Sequence, residues 1–371
     1  MALTIERIGG HRDLASLEEA WRDVTSKSAR PNPFLSWEWV FTWWEHFGSA
    51  LDLWILAAYE KSNRKLVGLA PLVLRRFPVP RRGPYSELSV LGSTVAAPDH
   101  LDAIAADSFQ AEVNSAFASY IGERGRWDTF RLHGMRSDSF LIDLLLEEGG
   151  KPRGLVWESE CPFVSLPSSW EEYESSLDRK MRYNLRSRSR RLEKDADKQV
   201  SFQSVSSNSE VEDAMSELFR LHRRVRERRR TKGAFGDSLL MDFHRSIAKR
   251  FSENGWLRLY LLRVKGDAIG AVYSFRCGDV VYFYQTGYDP AWAKYGPGSA
   301  ILAHSIRASI EEGAHEFDFL RGDAPYKYQW TRQARKDFRG WLSHSVRGRA
   351  LIAGYRLGLN SRRMLRRMKT R

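Results

Sequence analysis

The sequence predicts an α/β (α+β) chain built from two similar halves, each a mixed, mostly antiparallel sheet flanked by helices. Three observations carry this. A three-strand meander over residues 257–288 runs into a glycine loop, an apolar-periodic helix and one more strand. The same order, less well kept, recurs over residues 51–133. An amphipathic helix precedes each meander.

In chain order, Trp37, Val40, Phe41, Trp44 and Phe47 recur at helical spacing and predict the first of these helices. Such an aromatic stripe is more often core than a ligand platform. Residues 51–59, a turn through Lys61-Ser62-Asn63-Arg64, and residues 66–74 predict a hairpin. Residues 86–92 add a strand, 107–122 a helix and 128–133 another strand. The link Ser93-Thr94-Val95-Ala96-Ala97-Pro98-Asp99-His100 has no glycine loop, so this half is read as a degenerate partner of the other. Asp99, His100 and Asp102 form an acidic patch there, a candidate for substrate binding. The division is placed as 1–155, 156–345 and a basic tail, 346–371.

In the second half, Val211, Met215, Leu218, His222 and Val225 form the helical stripe, with Ser209 and Glu212 spaced as a capping box. Strands follow at 257–264, 268–275 and 280–288, with turns at Lys265-Gly266-Asp267 and Cys277-Gly278-Asp279. After Lys294-Tyr295-Gly296-Pro297-Gly298-Ser299 comes a helix with Ile301, Leu302, Ile306 and Ile310 on its buried stripe and Gly313 as its stop. Glycines let backbone amides approach an anion, and a helix start adds a positive dipole. Tyr288, Lys294, Tyr295, Gly296, Gly298 and Ser299 are therefore the donor-binding candidates. The last strand, around Phe317-Asp318-Phe319-Leu320, enters a loop dense in ionisable and aromatic groups, Arg321 to Trp330.

Several segments together resemble the GNAT acyltransferase fold. They are Phe34-Leu35-Ser36-Trp37-Glu38-Trp39, Arg179-Lys180-Met181-Arg182-Tyr183-Asn184-Leu185-Arg186, Tyr284-Gln285-Thr286-Gly287-Tyr288-Asp289, Tyr295-Gly296-Pro297-Gly298 and the stretch from Phe317 to Trp330. More narrowly, the chain resembles CelD-like acetyltransferases associated with cellulose and exopolysaccharide biosynthesis, relatives of the Fem-type peptidyltransferases. The resemblance implies tandem GNAT-like domains, an acetyl-CoA or other acyl-CoA donor held by the glycine loop, and an amine or hydroxyl acceptor on a sugar, polysaccharide precursor or cell-envelope intermediate. The usual basic or polar residue two before the loop glycines is Lys294 here. The Fem relatives take aminoacyl-tRNA, so a tRNA-borne donor stays open. So does a non-catalytic tandem-GNAT scaffold bound to a membrane or synthase complex, although a scaffold has no need of the ionisable loop at 318–327.

Acyl transfer requires a group that takes the acceptor proton and a donor that stabilises the developing oxyanion. The GNAT resemblance places the oxyanion donor on a backbone N–H within residues 284–288. For the base, Asp318 and Asp323 rank first, because a carboxylate among aromatic rings has its pKa raised. His304 is an alternative base, or equally a helix-packing histidine. Tyr326 can protonate a thiolate leaving group, Lys327 can fix an anionic substrate, and Arg182, Arg186 and Arg321 are assigned to substrate binding. No nucleophile elbow and no His-rich metal spacing occurs, which favours direct transfer without a metal.

Composition bounds the rest. Apolar content of 42%, with 13 Trp, 14 Tyr and 19 Phe, excludes bulk disorder over the 371 residues. The start, Met1-Ala2-Leu3-Thr4-Ile5-Glu6-Arg7, lacks a secretory signal pattern. The two cysteines, Cys161 and Cys277, are too few for a disulfide framework and read as small apolar residues. A reducing cytoplasm is the default expectation. The net charge is +13, and residues 347–371 carry nine bases and no acid, interleaved with Leu351, Ile352, Tyr355, Leu357, Leu359, Met364, Leu365 and Met368. That pattern fits either a solvated tail or a basic amphipathic helix resting on an anionic inner-membrane face. Two further basic runs, 179–191 and 220–232, call for an anionic counterpart because like charges along a helix repel.

Overall fold

The computed structural model describes residues 2–78, 84–93, 95–123, 127–145, 156–205, 207–229, 235–343 and 345–354. The chain divides into two compact units. The first holds residues 1–30, 34–158 and 337–371; the second holds 31–33 and 159–336. Among the described residues, no helix is long and apolar enough to cross a membrane.

The first unit begins with β1 (Leu3–Ile8), α1 (His11–Ser16), α2 (Glu18–Ser26) and α3 (Trp37–Phe47). Ser36 caps α3 by accepting the Trp39 N–H. This helix is buried beyond the predicted stripe, since Trp39 and Trp43 are as enclosed as Trp37 and Val40. Then come β2 (Asp52–Leu53), β3 (Ile55–Glu60), β4 (Leu66–Ala70), β5 (Leu72–Phe77), β6 (Tyr85–Val90), β7 (Ile104–Ala105), α4 (Gln110–Glu123) and β8 (Thr129–Arg136). The single strand expected over 66–74 is two. Pro71 interrupts it, β4 pairs with β3, and β5 pairs with β6 in another sheet. Proline has no N–H for a ladder, so it is a natural place for the chain to change sheets.

The second unit contains β9 (Val156–Ser165), α5 (Trp170–Ser176), α6 (Arg179–Asp195), β10 (Val200–Ser204), α7 (Asn208–Arg229), α8 (Ser238–Glu253), β11 (Leu257–Val264), β12 (Asp267–Cys277), β13 (Val280–Tyr288), α9 (Pro297–Glu311) and β14 (Glu316–Asp318); β15 (Ala334–Ser343) follows. Strands β10 to β13 form an antiparallel meander, and β14 joins parallel to β13. The predicted stripe of α9 is buried, and Gly313 turns in the left-handed region just past its end. The capping box on α7 is two residues earlier than the spacing suggested. Ser207 and Glu210 form it, the Ser207 N–H reaching Glu210 Oε2 at 3.3 Å, while Glu212 pairs with Arg245 at 2.7 Å.

The two units repeat one motif. In the second, the β12–β13 hairpin is followed by α9, then β14 parallel to β13 and antiparallel to β9. In the first, the β5–β6 hairpin is followed by α4, then β8 parallel to β6 and antiparallel to β15. The boundary therefore differs from a cut at 155 and 345. Residues 337–343 pair with β8 and so belong to the first unit. The basic tail expected over 346–371 lies outside the described residues from 355 onward.

Candidate active site

The site is built where β13 loses a neighbour. Strand β14 pairs with β13 only at Val280, Val281 and Tyr282. Beyond that the two separate, while β12 stays paired with β13 through Tyr288. The β12 register slips between Tyr273 and Ser274, which leaves Tyr284 as the extra residue of a β-bulge on β13. The Asp289 N–H donates to Ile269 O at 2.9 Å. Strand alternation then turns Gly287 toward β12 and aims the amides of Thr286 and Tyr288 at the opened edge. Gln285 Oε1 accepts the Thr286 N–H at 3.1 Å.

A cavity of about 290 Å³ occupies this opening. Its floor is Gln285, Thr286 and Tyr288 of β13, and α7 contributes His222, Val225 and Arg226. The first turn of α9 contributes Gly296 to Ser299 and Leu302. Tyr326, Gln329 and Trp330 close one side, and Arg188 of α6 reaches in from another. Among the described residues that line it there is no carboxylate, so the guanidiniums of Arg188 and Arg226 set a positive potential.

Local backbone explains the α9 wall. Gly296 sits in the left-handed region at φ +64°, which costs a residue with a Cβ and costs glycine nothing. Pro297 at the first helical position gives up an N–H that would have no partner anyway. A Cβ at Gly298 would lie 3.3 Å from Tyr288 Cδ1, so this glycine lets the Tyr288 ring and the helix start come together. Gly287 has the same role on the opposite side. A Cβ there would meet the His222 backbone nitrogen at 2.5 Å, so α7 lies directly against β13 at this point.

His222 is 3% exposed, and burial, helped by the Arg226 charge, pushes its pKa down to about 4. Its Nε2 accepts the Arg226 Nε–H at 3.4 Å, so the ring is neutral and has this nitrogen as acceptor. On α8, His244 is fully buried and burial pushes it to about 3. It lies 3.2 Å from the hydroxyl of Tyr284, the bulge residue.

The expected residues fall into two groups. Tyr288, Gly296, Gly298, Ser299 and Tyr326 all line the cavity. Tyr295 lines a smaller adjoining space of about 140 Å³ and donates its hydroxyl to Asp195. Lys294 is exposed and lies over the Tyr295 ring, outside the cavity lining. Arg188 is the cation that reaches the glycine loop instead.

The remaining candidates are engaged elsewhere. Asp318 has no exposure; its Oδ1 accepts the Leu320 N–H at 2.7 Å and its Oδ2 accepts from Arg335 at 3.0 Å. Lys327 is buried and donates to the carbonyls of Leu320 and Arg321. These contacts pin a loop in which Leu320 itself has a positive φ of 57°. Asp323 is exposed, and Arg321 is half-buried and outside the lining. His304 stacks on Phe202 with ring centroids 4.4 Å apart, as a packing histidine does. Arg186 forms a two-pronged pair with Glu174, and Arg182 donates to Ser175 O. In the first unit, Asp99 and His100 are buried, with His100 Nδ1 3.3 Å from Asp337. The Asp102 carboxylate accepts the amides of Ala103, Phe140 and Leu141.

Residues 179–328 match the family described as acetyltransferase (GNAT) domain. The second unit is a transferase domain of the GNAT acyltransferase type. The solved structure of FemX is similar at a TM-score of 0.60 and 11% identity, over 91% of this chain and 97% of that one. L-PGS from Bacillus licheniformis is similar at 0.53 and 12%, over 95% and 98%. The C-terminal domain of a lysylphosphatidylglycerol synthetase from Agrobacterium fabrum is similar at 0.51 and 11%, over 91% and 96%. At such identities the likeness is one of fold. No curated protein matches the chain in sequence.

Proposed function

We propose that the second unit moves an acyl group, acetyl first among them, from acyl-CoA to an amine or hydroxyl of a sugar, polysaccharide precursor or related cell-envelope intermediate. One observation carries the reading: a cation-lined cavity joins the opened, bulged edge of β13 to the glycine-bearing start of α9. The thioester arm lies along β13. Its carbonyl oxygen meets an outward-facing amide of that strand, which stabilises the oxyanion as it forms. The pyrophosphate rests on the first turn of α9. The acceptor's lone pair attacks the thioester carbon and the C–S bond breaks as the tetrahedral intermediate collapses. Tyr326 protonates the leaving sulfur, and the proton lost by the acceptor restores the Tyr326 hydroxyl, so the carrier leaves as its free thiol. At neutral pH, full transfer of the acceptor proton to His222 is uphill by about 4 kcal/mol, so this ring is not the base; its Nε2 accepts from Arg226 and holds that guanidinium at the cavity wall.

The sugar or polysaccharide acceptor rests on the CelD-like resemblance. A second reading is an aminoacyl-tRNA donor. It is favoured by the exposed cations of α6, among them Arg179, Lys180 and Arg190, and by the likeness to FemX. Thermal-shift titration decides between them, because a ligand selective for the folded state raises the melting temperature by mass action. Acetyl-CoA should raise it and longer acyl-CoAs should rank by chain length, while aminoacyl-tRNA should not. In Gly298→Val the side chain meets Tyr288 and fills the arm's path, so the acetyl-CoA shift should vanish from a folded protein. An unchanged shift in that variant rejects the placement of the donor.

A further inference from the structure

Tyr284 is the extra residue of the bulge on β13, two residues before the Thr286 amide. Strand amides alternate between the two edges, so one extra residue inverts the alternation for everything beyond it. The amides of Thr286 and Tyr288 face the opened edge only while the bulge stays ahead of them. Slid past Thr286, or lost to a one-residue slip of register, it would return them to β12. Sheet pairing places the bulge, and no glycine within Phe283-Tyr284-Gln285 favours that position over the next.

The Tyr284 side chain supplies an anchor. Phe283 packs against Phe317 and Phe319. The Tyr284 ring goes to α8 instead, with its centroid 5.0 Å from that of His244 and 5.5 Å from that of Phe275. The Tyr284 hydroxyl and His244 Nε2 are hydrogen-bonded at 3.2 Å. His244 is a firm post for it. It is fully buried in the middle of α8, with the rings of Phe235, Phe243 and Tyr273 around it. Burial also keeps the imidazole neutral at ordinary pH. A buried pair of this kind is costly to part, because the partner left behind loses its hydrogen bond away from water.

We propose that His244 is a positioning residue for acyl transfer: by holding the Tyr284 hydroxyl it pins the bulge and keeps a β13 amide aimed at the thioester carbonyl. It acts through Tyr284 and is not among the residues that line the donor cavity. The inference rests on the acyl-thioester reading and adds the element, α8, that holds the oxyanion donor in register.

The experiment is infrared spectroscopy of the full chain with acetyl-CoA isotope-labelled at the thioester carbonyl, beside calorimetric titration and urea denaturation. In the wild type the carbonyl stretch should move to lower frequency on binding, as an amide donates to its oxygen. Tyr284→Phe keeps the ring and loses only the hydroxyl. That shift should be lost, with acetyl-CoA affinity within a few-fold of wild type. His244→Phe should behave alike. The double variant replaces both partners by apolar groups, so stability should return to near wild type while the shift should not. Tyr260→Phe, which removes a hydroxyl bonded to Glu312 on another strand, should keep the shift. A full shift in Tyr284→Phe overturns the proposal, and so does a shift that returns with stability in the double variant. A wild type that binds acetyl-CoA without any shift also overturns it and leaves the donor in its cavity. If the wild type does not bind acetyl-CoA, the donor reading itself fails and takes the proposal with it.

Discussion

Asp318 shows how chemistry-bearing residue types can be spent on structure. In sequence it is a carboxylate among phenylalanines beside a reactive-looking loop, the pattern expected of a base with a raised pKa. In the fold it is fully buried, holds the Leu320 amide and forms an ion pair with Arg335, which also reaches Glu316 at 2.5 Å. Removing one partner of an isolated buried pair typically costs about 3 kcal/mol or more, but Arg335 keeps Glu316 when Asp318 is neutralised. Asp318→Asn should therefore lower stability in urea denaturation by roughly 1–3 kcal/mol. Turnover per folded molecule should stay within a few-fold of wild type. A loss of kcat by roughly 10²-fold or more at unchanged stability would return Asp318 to the role of base. The residues that do line the cavity without being singled out for it, Arg188, His222, Arg226 and Gln285, gave weaker signals. Arg188 was one arginine in a run of seven bases over thirteen residues. His222 kept the period of an apolar stripe. Nothing in spacing says which base of a run faces inward; the packing of α6 against the glycine loop decides it.

At the scale of elements, the meander, the glycine loop and the helix after it were legible because each has a strong local cause. These are alternation, turn glycines and a 3.6-residue apolar period. The break at Pro71 and the bulge at Tyr284 were not, since sheet pairing fixes both. Two element contacts give tests. Gly287 lets α7 touch β13, and a Cβ there would lie 2.5 Å from His222 N and 2.9 Å from Leu221 C, both backbone atoms that cannot step aside. Gly287→Ala should destabilise by about 1–3 kcal/mol and weaken acetyl-CoA binding, because the helix that carries His222 and Arg226 must shift. Wild-type stability in that variant would mean the contact is loose. The second test is pH. His222 and His244 titrate in the fold at about 4 and about 3, below the unfolded value of 6.5. Above pH 6.5 neither state is protonated and the histidines contribute nothing to the slope. As pH falls through 6.5 the unfolded chain takes protons that the folded one refuses, so stability is lost from pH 6.5 down to about 4 for His222 and about 3 for His244, on the order of 3 and 5 kcal/mol at full effect. In His244→Gln the slope of urea stability against pH in that window should fall by about half. An unaltered slope would assign acid unfolding to other groups.

Over the whole molecule, the repeat of hairpin, helix and parallel strand was readable because both units keep its order, although only the second keeps a glycine loop. Which unit holds the last strand was not readable, since residues 337–343 pair with β8, some two hundred residues earlier in the chain. Charge is the other property that belongs to the chain as a whole. The net +13 is unevenly spread, and residues 355–371 hold seven bases and no acid. Three further observations bear on where a tail-directed test should cut. Arg347 acts on Asp128, the Gly348 N–H donates to Ser345, and a Cβ at Gly348 would lie 2.0 Å from Asp128 O. Residues 347 and 348 are therefore part of the first unit, and truncation should begin after Gly354. Basic residues near an anionic bilayer each contribute about 1 kcal/mol, and that attraction is screened within about 10 Å at 0.1 M salt. Deleting residues 355–371 should then abolish most binding to vesicles containing phosphatidylglycerol, and wild-type binding should fall steeply between low and physiological salt. Acetyl-CoA affinity should be unchanged, because the described residues that line the cavity along β13 lie within 188–330. Equal vesicle binding with and without the tail would show that it does not recruit the enzyme to a membrane. A parallel loss of acetyl-CoA affinity would show instead that the tail supports the donor site.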